Sequence, residues 1–253
     1  MRLHLFAWTL AAFAVGSLWA GGCTPGGPPA NEIEVLCGGS FRPPMEKLAK
    51  EFEEKTGCRA VLVFGQSEDH LPKVKMHAIG DAFVSHDPYI EYTEDAGALT
   101  RFATVGYVCP VLVVKKGNPE GIKGIEDLAR PGLGVVLPNP EFSTCGEMVF
   151  KLLEEKGIKE AVLANVGNAQ VRSHADVGKQ IKLGHRDAGI MWNGMANNWL
   201  DAIEIVPAPN EYEEIRVTVM GLSYSKRQDK VEEFLKFAEI RGKEIFAEFG
   251  YVK

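Results

Sequence analysis

Two short turns in this 253-residue chain carry residue types suited to gripping an anion. Each joins glycine to a serine where a β-rich run gives way to a helical one: Cys37-Gly38-Gly39-Ser40 and Phe64-Gly65-Gln66-Ser67. The first turn of a helix presents unpaired backbone N–H groups and roughly half a positive charge, so it attracts small anions without a cationic side chain. A serine hydroxyl adds a further donor. Either serine alone equally suits a simple helix cap. Two such turns in one chain point to convergence on a single ligand.

A second set of residues suggests other chemistry. His70, His86, Cys145 and His174 fall near the ends of β-rich runs, with Glu68 and Asp69 close by. Imidazole and thiolate select copper, zinc or iron over hard cations, so a transition-metal ion or metal complex is the alternative guest. There is no compact CxxC or HxxxH pair, and four separate loops would have to assemble the site. Cys145 and His174 are also the parts of a nucleophilic pair. No third orienting group and no nucleotide-binding glycine motif accompany them, so the chain does not read as an enzyme and implies no cofactor. Bland roles stay open for each residue. Cys145 suits an inert buried thiol, and Trp192 suits the core. His174 fits an exposed loop, and Arg42 a surface ion pair.

The elements that must position these residues are soluble in character. Apolar residues make up 45% and charged ones 25% of the chain, which excludes a disordered chain or a polytopic membrane protein. The formal net charge of −6, without any Lys/Arg block, argues against nucleic acid as a partner. The N-terminus reads as an address. Arg2 precedes an apolar run from Leu5 to Leu18, followed by Trp19-Ala20-Gly21-Gly22-Cys23. A basic start, an apolar segment of about 7–15 residues and small residues before the cut make a secretory signal. The small residues before Cys23 resemble a bacterial lipobox. That predicts a signal over 1–22, a lipid on Cys23, and a Pro/Gly tether over 23–30 that leaves the mature chain on the outer face of the membrane. Cys37, Cys58, Cys109 and Cys145 then remain, and the sequence does not assign a pairing.

Beyond the tether, strand and helix alternate. Ile33–Cys37 is β-rich. Pro43 and Pro44 suit a first helical turn, Met45, Leu48, Ala49 and Phe52 repeat with helical spacing, and Gly57 is a stop. Strands follow at 59–64 and 82–85. A β-rich run covers 107–115, in which Pro110 fits a strand start or edge. Further strands are expected at 134–137, 188–192 and 217–222. Helices are expected at 146–156 and 177–183, and a long one closes the chain. Alternation of this kind predicts a mainly parallel sheet whose ligands lie beyond the carboxyl ends of its strands.

From about Glu34 to Lys253 the chain resembles the periplasmic molybdate-binding proteins of ATP-binding-cassette transporters. Four segments carry the likeness: CGGSFRPPMEKLAKEFEEKTG at 37–57, FGQSEDHL at 64–71, GDAFVSHDPYIEY at 80–92 and EIFAEFGY at 244–251. The resemblance implies a type II, two-lobed periplasmic-binding-protein-like α/β fold, each lobe a mostly parallel sheet flanked by helices. Lobe 1 would take 31–107 plus 219–253, and lobe 2 would take 108–218. It implies a periplasmic, monomeric binding protein that closes on a small tetrahedral oxyanion, molybdate or tungstate foremost. An ABC permease would receive the cargo. By position, the implied ligand-binding residues are Ser40, Ser67, Cys145, His174 and Trp192, the last standing where the family has a tyrosine. Arg42 is placed to add a charge-assisted bond. Glu68 replaces the family's glycine after the second serine.

Overall fold

The computed structural model describes residues 31–207, 212 and 214–252. The expected signal, the lipid-bearing Cys23 and the tether lie outside the described residues.

The chain opens with β1 (Glu32–Gly38), a 3-10 turn (Gly39–Phe41) and α1 (Arg42–Thr56). Pro43 and Pro44 sit in the first turn of α1, where their missing N–H groups cost nothing. The helix buries Met45, Leu48, Ala49 and Phe52 and ends at Gly57, whose φ of 70° is the left-handed conformation that favours glycine. Next come β2 (Arg59–Gly65), α2 (Ser67–Lys75), β3 (Ala82–His86), α3 (Tyr89–Asp95) and β4 (Leu99–Val108). The chain continues with β5 (Pro110–Lys115), a 3-10 turn (Ile125–Ala129), β6 (Val135–Pro138), α4 (Thr144–Glu155) and α5 (Lys159–Val166). It then forms β7 (Gln170–Val171), α6 (His174–Lys182), β8 (Ala188–Trp192), α7 (Asn193–Asn197) and β9 (Ile203–Ile205). The last elements are β10 (Ile215–Leu222) and α8 (Gln228–Glu248).

Among the described residues these strands make two five-stranded sheets, ordered β2-β1-β3-β10-β4 and β7-β6-β8-β5-β9. The two share one topology. In each, three strands run parallel, and the other two are antiparallel to their neighbours. The sheets are therefore mixed rather than mostly parallel. The reason is connectivity: β5 and β10 each enter their sheet from the other one, with no crossover helix to set them parallel.

The single run expected at 107–115 is divided at Cys109. β4 pairs with β10 in the first sheet, and β5 pairs with β8 and β9 in the second. Pro110 begins β5, where a residue without an N–H is tolerated. On the return path, β9 still belongs to the second sheet, whereas β10 pairs in the first from Ile215 onward.

Side-chain alternation along β1 serves both faces of the first sheet. Val35 and Cys37 join the core beneath α1 and α8, while Leu36 packs with Val74, Phe83, Tyr89 and Ile90 under α2 and α3. A buried ion pair locks the far end of this sheet. The Asp81 carboxylate accepts from the Glu34 backbone N–H at 2.8 Å, Ser225 Oγ at 2.6 Å and Arg227 Nη1 at 3.1 Å. It thereby ties β1, β3 and the entry to α8 together. Removing one partner of a buried pair strands the other charge and typically costs about 3–5 kcal/mol. Arg227 is only partly buried here, so Asp81→Ala is expected to lower unfolding free energy by about 3 kcal/mol in a urea titration. A loss below about 1 kcal/mol would show that the network is not structural.

Candidate functional site

The parallel strands of both sheets end at one place. A cavity of about 30 Å³ opens there, lined from the first sheet by Gly38 to Phe41, Gln66 to Glu68 and His86. From the second sheet it is lined by Phe142 to Thr144, Arg172, His174 and Trp192. One water needs roughly 10–15 Å³ of such space, so the cavity suits a guest of a few heavy atoms.

Each lining residue is held by the local fold. Ser40 lies in the 3-10 turn after β1, and Ser67 is the first residue of α2. Neither caps a helix: the capping positions of α1 and α2 are Phe41 and Gln66, without a side-chain cap bond. Ser67 is buried, and its Oγ accepts the hydroxyl proton of Ser85 at 2.8 Å, leaving its own proton to donate elsewhere. The glycines in both motifs permit close approach. A Cβ on Gly38 would lie 3.0 Å from Ser67 Oγ, and one on Gly65 would lie 2.8 Å from His70 Nε2. The buried Tyr251 donates its hydroxyl to the Ser40 carbonyl and so fixes the first turn from the C-terminal end of the chain.

The walls are largely aromatic. His86 packs edge-on to Trp192 at 5.5 Å and to Tyr89 at 5.3 Å, and Phe41 stands 6.2 Å from His86. His174 lies 5.6 Å from Trp192. Burial lowers the basicity of both histidines. His174 is pulled down to about 3, first by desolvation and then by His86. His86 is lowered by desolvation, against its bond to the Asp87 carbonyl. Both rings are therefore neutral near pH 7. His86 Nδ1 lies 2.7 Å from that carbonyl oxygen and must carry the proton, which leaves the lone pair on Nε2. His174 Nδ1 is buried without a hydrogen-bond partner. The turn bearing His86 is fixed by Asp87, whose carboxylate accepts from Arg216 Nε at 2.9 Å and Nη2 at 3.0 Å.

Two charged groups line the cavity, Glu68 and Arg172. Burial raises the Glu68 carboxyl above its ordinary range, opposed by its own backbone N–H and by the nearby Tyr89 hydroxyl. Arg172 stacks on the Phe142 ring at 4.3 Å and reaches across the cavity mouth to Asp69 at 3.9 Å. Its carbonyl accepts from Gln66 Nε2 at 3.4 Å.

Of the residues expected from the sequence, Ser40, Ser67, His174 and Trp192 line this cavity, and Cys145 and Arg42 do not. Cys145 is 0% exposed; its side chain joins the core, and burial pushes the thiol well above its ordinary range. It stands second in α4, where the backbone N–H belongs to an open first turn while the side chain turns inward. The Arg42 side chain is 53% exposed, paired with Glu46 at 3.2 Å and stacked over Phe64 at 3.7 Å. The alternative metal set is not brought together either. His86 and His174 reach the cavity, Cys145 lies in the core, and His70 is buried beside Phe83. Among the described residues no three His, Cys, Asp or Glu side chains form a metal-holding group. Arg172 and Phe142 were not legible beforehand, because each lies in a short connection without periodicity. Among the described residues, Cys37, Cys58, Cys109 and Cys145 form no disulfide.

Comparison with known proteins places these features in context. Residues 33–252 match the family model described as bacterial extracellular solute-binding protein. A putative binding protein of Haemophilus influenzae is 23% identical over 230 residues, covering 88% of this chain and 91% of that one. The molybdate-binding protein ModA of Mycobacterium bovis is 28% identical over 169 residues, covering 61% of this chain and 63% of that one. The solved substrate-binding domain of a putative molybdenum ABC transporter from Clostridium difficile superposes with a TM-score of 0.69 at 20% identity. It covers 88% of this chain and 98% of that one.

The buried, neutral His174 has a measurable consequence. Its folded value of about 3 lies below the ordinary 6.5. As pH falls through that window the unfolded chain takes up a proton that the native chain refuses, so acid removes stability. Replacing His174 by Gln is expected to flatten the dependence of unfolding free energy on pH between about 6 and 4, by up to about 1.4 kcal/mol per pH unit. An NMR titration in which His174 protonates near 6.5 in the folded protein would show that the ring is not shut away.

Proposed function

The chain belongs to the bacterial extracellular solute-binding proteins, and on that premise we propose that it captures a small tetrahedral oxyanion between its two sheets and delivers it to the permease of an ABC importer. The observation that carries the reading is the meeting of Ser40 and Ser67 with Ser143, His174 and Trp192 around one cavity of about 30 Å³. Hydroxyls, backbone N–H groups and neutral rings outnumber charges there, which suits an anion gripped by oriented dipoles. Relatives point the same way: one is a molybdate-binding protein and another a component of a putative molybdenum transporter. Molybdate and tungstate are accordingly the first guests to test, beside sulfate and phosphate.

The mechanism is capture without chemistry. Each sheet with its helices acts as a lobe, and the two crossings between them, β4 to β5 and β9 to β10, are the hinges. The guest bonds both lobes at once and therefore favours the closed arrangement over the open one. Outside the cytoplasm, a diacylglycerol on Cys23 would hold the monomer near its permease.

A thermal-shift panel of molybdate, tungstate, sulfate, phosphate and divalent metals tests the reading. A guest at a hundredfold excess over its Kd adds about 2.7 kcal/mol, or roughly 5–10 °C for a chain of this size. The double variant Ser40→Ala, Ser67→Ala is expected to keep its fold and lose that shift. Stabilisation by a divalent metal alone, or an unchanged oxyanion shift in the double variant, would overturn the assignment.

A further inference from the structure

One residue outside the cavity reaches both halves of the molecule. After α8, Gly250, at φ 82°, turns the chain back, and Tyr251 is left only 1% exposed. Its ring stands 5.7 Å from Phe41 and 5.5 Å from Phe246. Its hydroxyl donates to the carbonyl of Ser40, in the turn that lines the cavity. Its own carbonyl accepts from the Tyr107 N–H at 3.1 Å, beside Cys109, where β4 gives way to β5.

The same ring meets α7, which follows β8 and the cavity residue Trp192. A Cβ added at Gly194 would overlap the outer edge of the Tyr251 ring, at Cε1, Cε2 and Cζ. The backbone of Gly194 lies outside the left-handed region, and glycine is a poor helix former, so the space taken by the ring is what excludes a side chain there. Asn193 fastens the same helix to the crossing. Its Nδ2 donates to the carbonyls of Tyr107 at 3.3 Å and Val252 at 3.2 Å, and its N–H to the carbonyl of Cys109 at 3.0 Å. The Ser40 turn, Phe41 and Tyr107 belong with the first sheet, and Asn193 and Gly194 follow the second.

Rotation of the halves about this crossing moves α7 relative to the Ser40 turn, and the Tyr251 ring lies between them. We propose that Tyr251 couples closure to the guest site: its ring registers the position of α7, and its hydroxyl holds the Ser40 turn in the shape that receives the guest. Tyr251 does not itself line the cavity, so it is a positioning residue and not a ligand. The inference rests on capture between the two sheets and is independent of which guest is taken. Coupling of this kind is reciprocal, so a change at either end is felt at the other.

Hydrogen–deuterium exchange of the mature chain, without any guest, reads both ends. Gly194→Ala alters only α7, yet it is expected to raise exchange of the amides at 38–42 by about tenfold or more. Tyr251→Phe removes only the hydroxyl and is expected to raise exchange of the amides at 193–198 by about threefold or more. In the double variant the rate at 38–42 is expected to stay within about threefold of that in Gly194→Ala alone, because the link is already broken. In calorimetric titrations, whichever of molybdate, tungstate, sulfate and phosphate the wild type binds is expected to bind both single variants about tenfold more weakly. Melting curves establish that the variants are folded, and if Gly194→Ala is not, the Tyr251→Phe exchange decides. Exchange at 38–42 unmoved by Gly194→Ala, exchange at 193–198 unmoved by Tyr251→Phe, or effects that simply multiply in the double variant would assign Tyr251 to packing alone and overturn the coupling. A wild type that binds none of the four anions removes the oxyanion reading, and the guest-free exchange still decides the coupling.

Discussion

The molecule depends on polar groups stranded where two sets of parallel strands stop. β1, β2 and β3 on one side, with β6, β7 and β8 on the other, deliver their carboxyl ends to the same gap. There the His174 ring nitrogen is buried without a partner, beside the open first turns of α2, α4 and α6. A buried polar group left unpaired costs about 1–3 kcal/mol. A guest with a polar group would supply the missing half of such a bond. The rings of His86, His174 and Trp192 pack against one another and form an apolar wall, where a bond to a guest is stronger than it would be in solvent.

The bonds that hold each half together differ in kind from those that join the halves. Within the first sheet, Asp81 and Asp87 make short bonds to Arg227 and Arg216 that fix strand ends and turns. Across the gap, the Gln66 bond is 3.4 Å long and the Arg172–Asp69 pair 3.9 Å, with both side chains of that pair more than half exposed. Exposed pairs of this sort contribute about 0–1 kcal/mol. Rigid halves with weak direct links leave the balance between open and closed to the guest, which is what a capture protein requires.

Much of this was legible in the sequence, and the misses have physical causes. Pro43-Pro44 and the Met45–Phe52 spacing gave α1, and the glycine–serine turns gave the two residues that the first sheet places in the cavity. The mixed sheets were not legible, because local pattern reports that a segment is a strand and not which neighbour it meets. The run 107–115 looked like one strand for the same reason, although Pro110 marks the break. Cys145 is expected as a backbone donor, and its side chain belongs to the core while its N–H stands in the first turn of α4. The short helices α3, α5 and α7 were missed since so few turns carry little periodicity. Arg172 escaped because its role comes from tertiary proximity to Phe142 and Asp69, which no spacing along the chain records.

Burial also explains why selectivity here is a matter of bond geometry more than of net charge. The chain as a whole is negative, yet exposed charges beyond about 10 Å are largely screened at 0.1 M salt. Inside the cavity the histidines cannot hold protons near neutrality, because desolvation takes His174 down to about 3. Positive charge is left to Arg172 at the mouth, and negative charge to Glu68 within. Two like charges about 4 Å apart repel by about 4 kcal/mol at an effective dielectric near 20. A hydrogen bond to a charged group returns about 1.5–3 kcal/mol. A charged carboxylate that close to an anion therefore costs more than one such bond returns, and the upward shift that burial gives the Glu68 carboxyl lessens that cost.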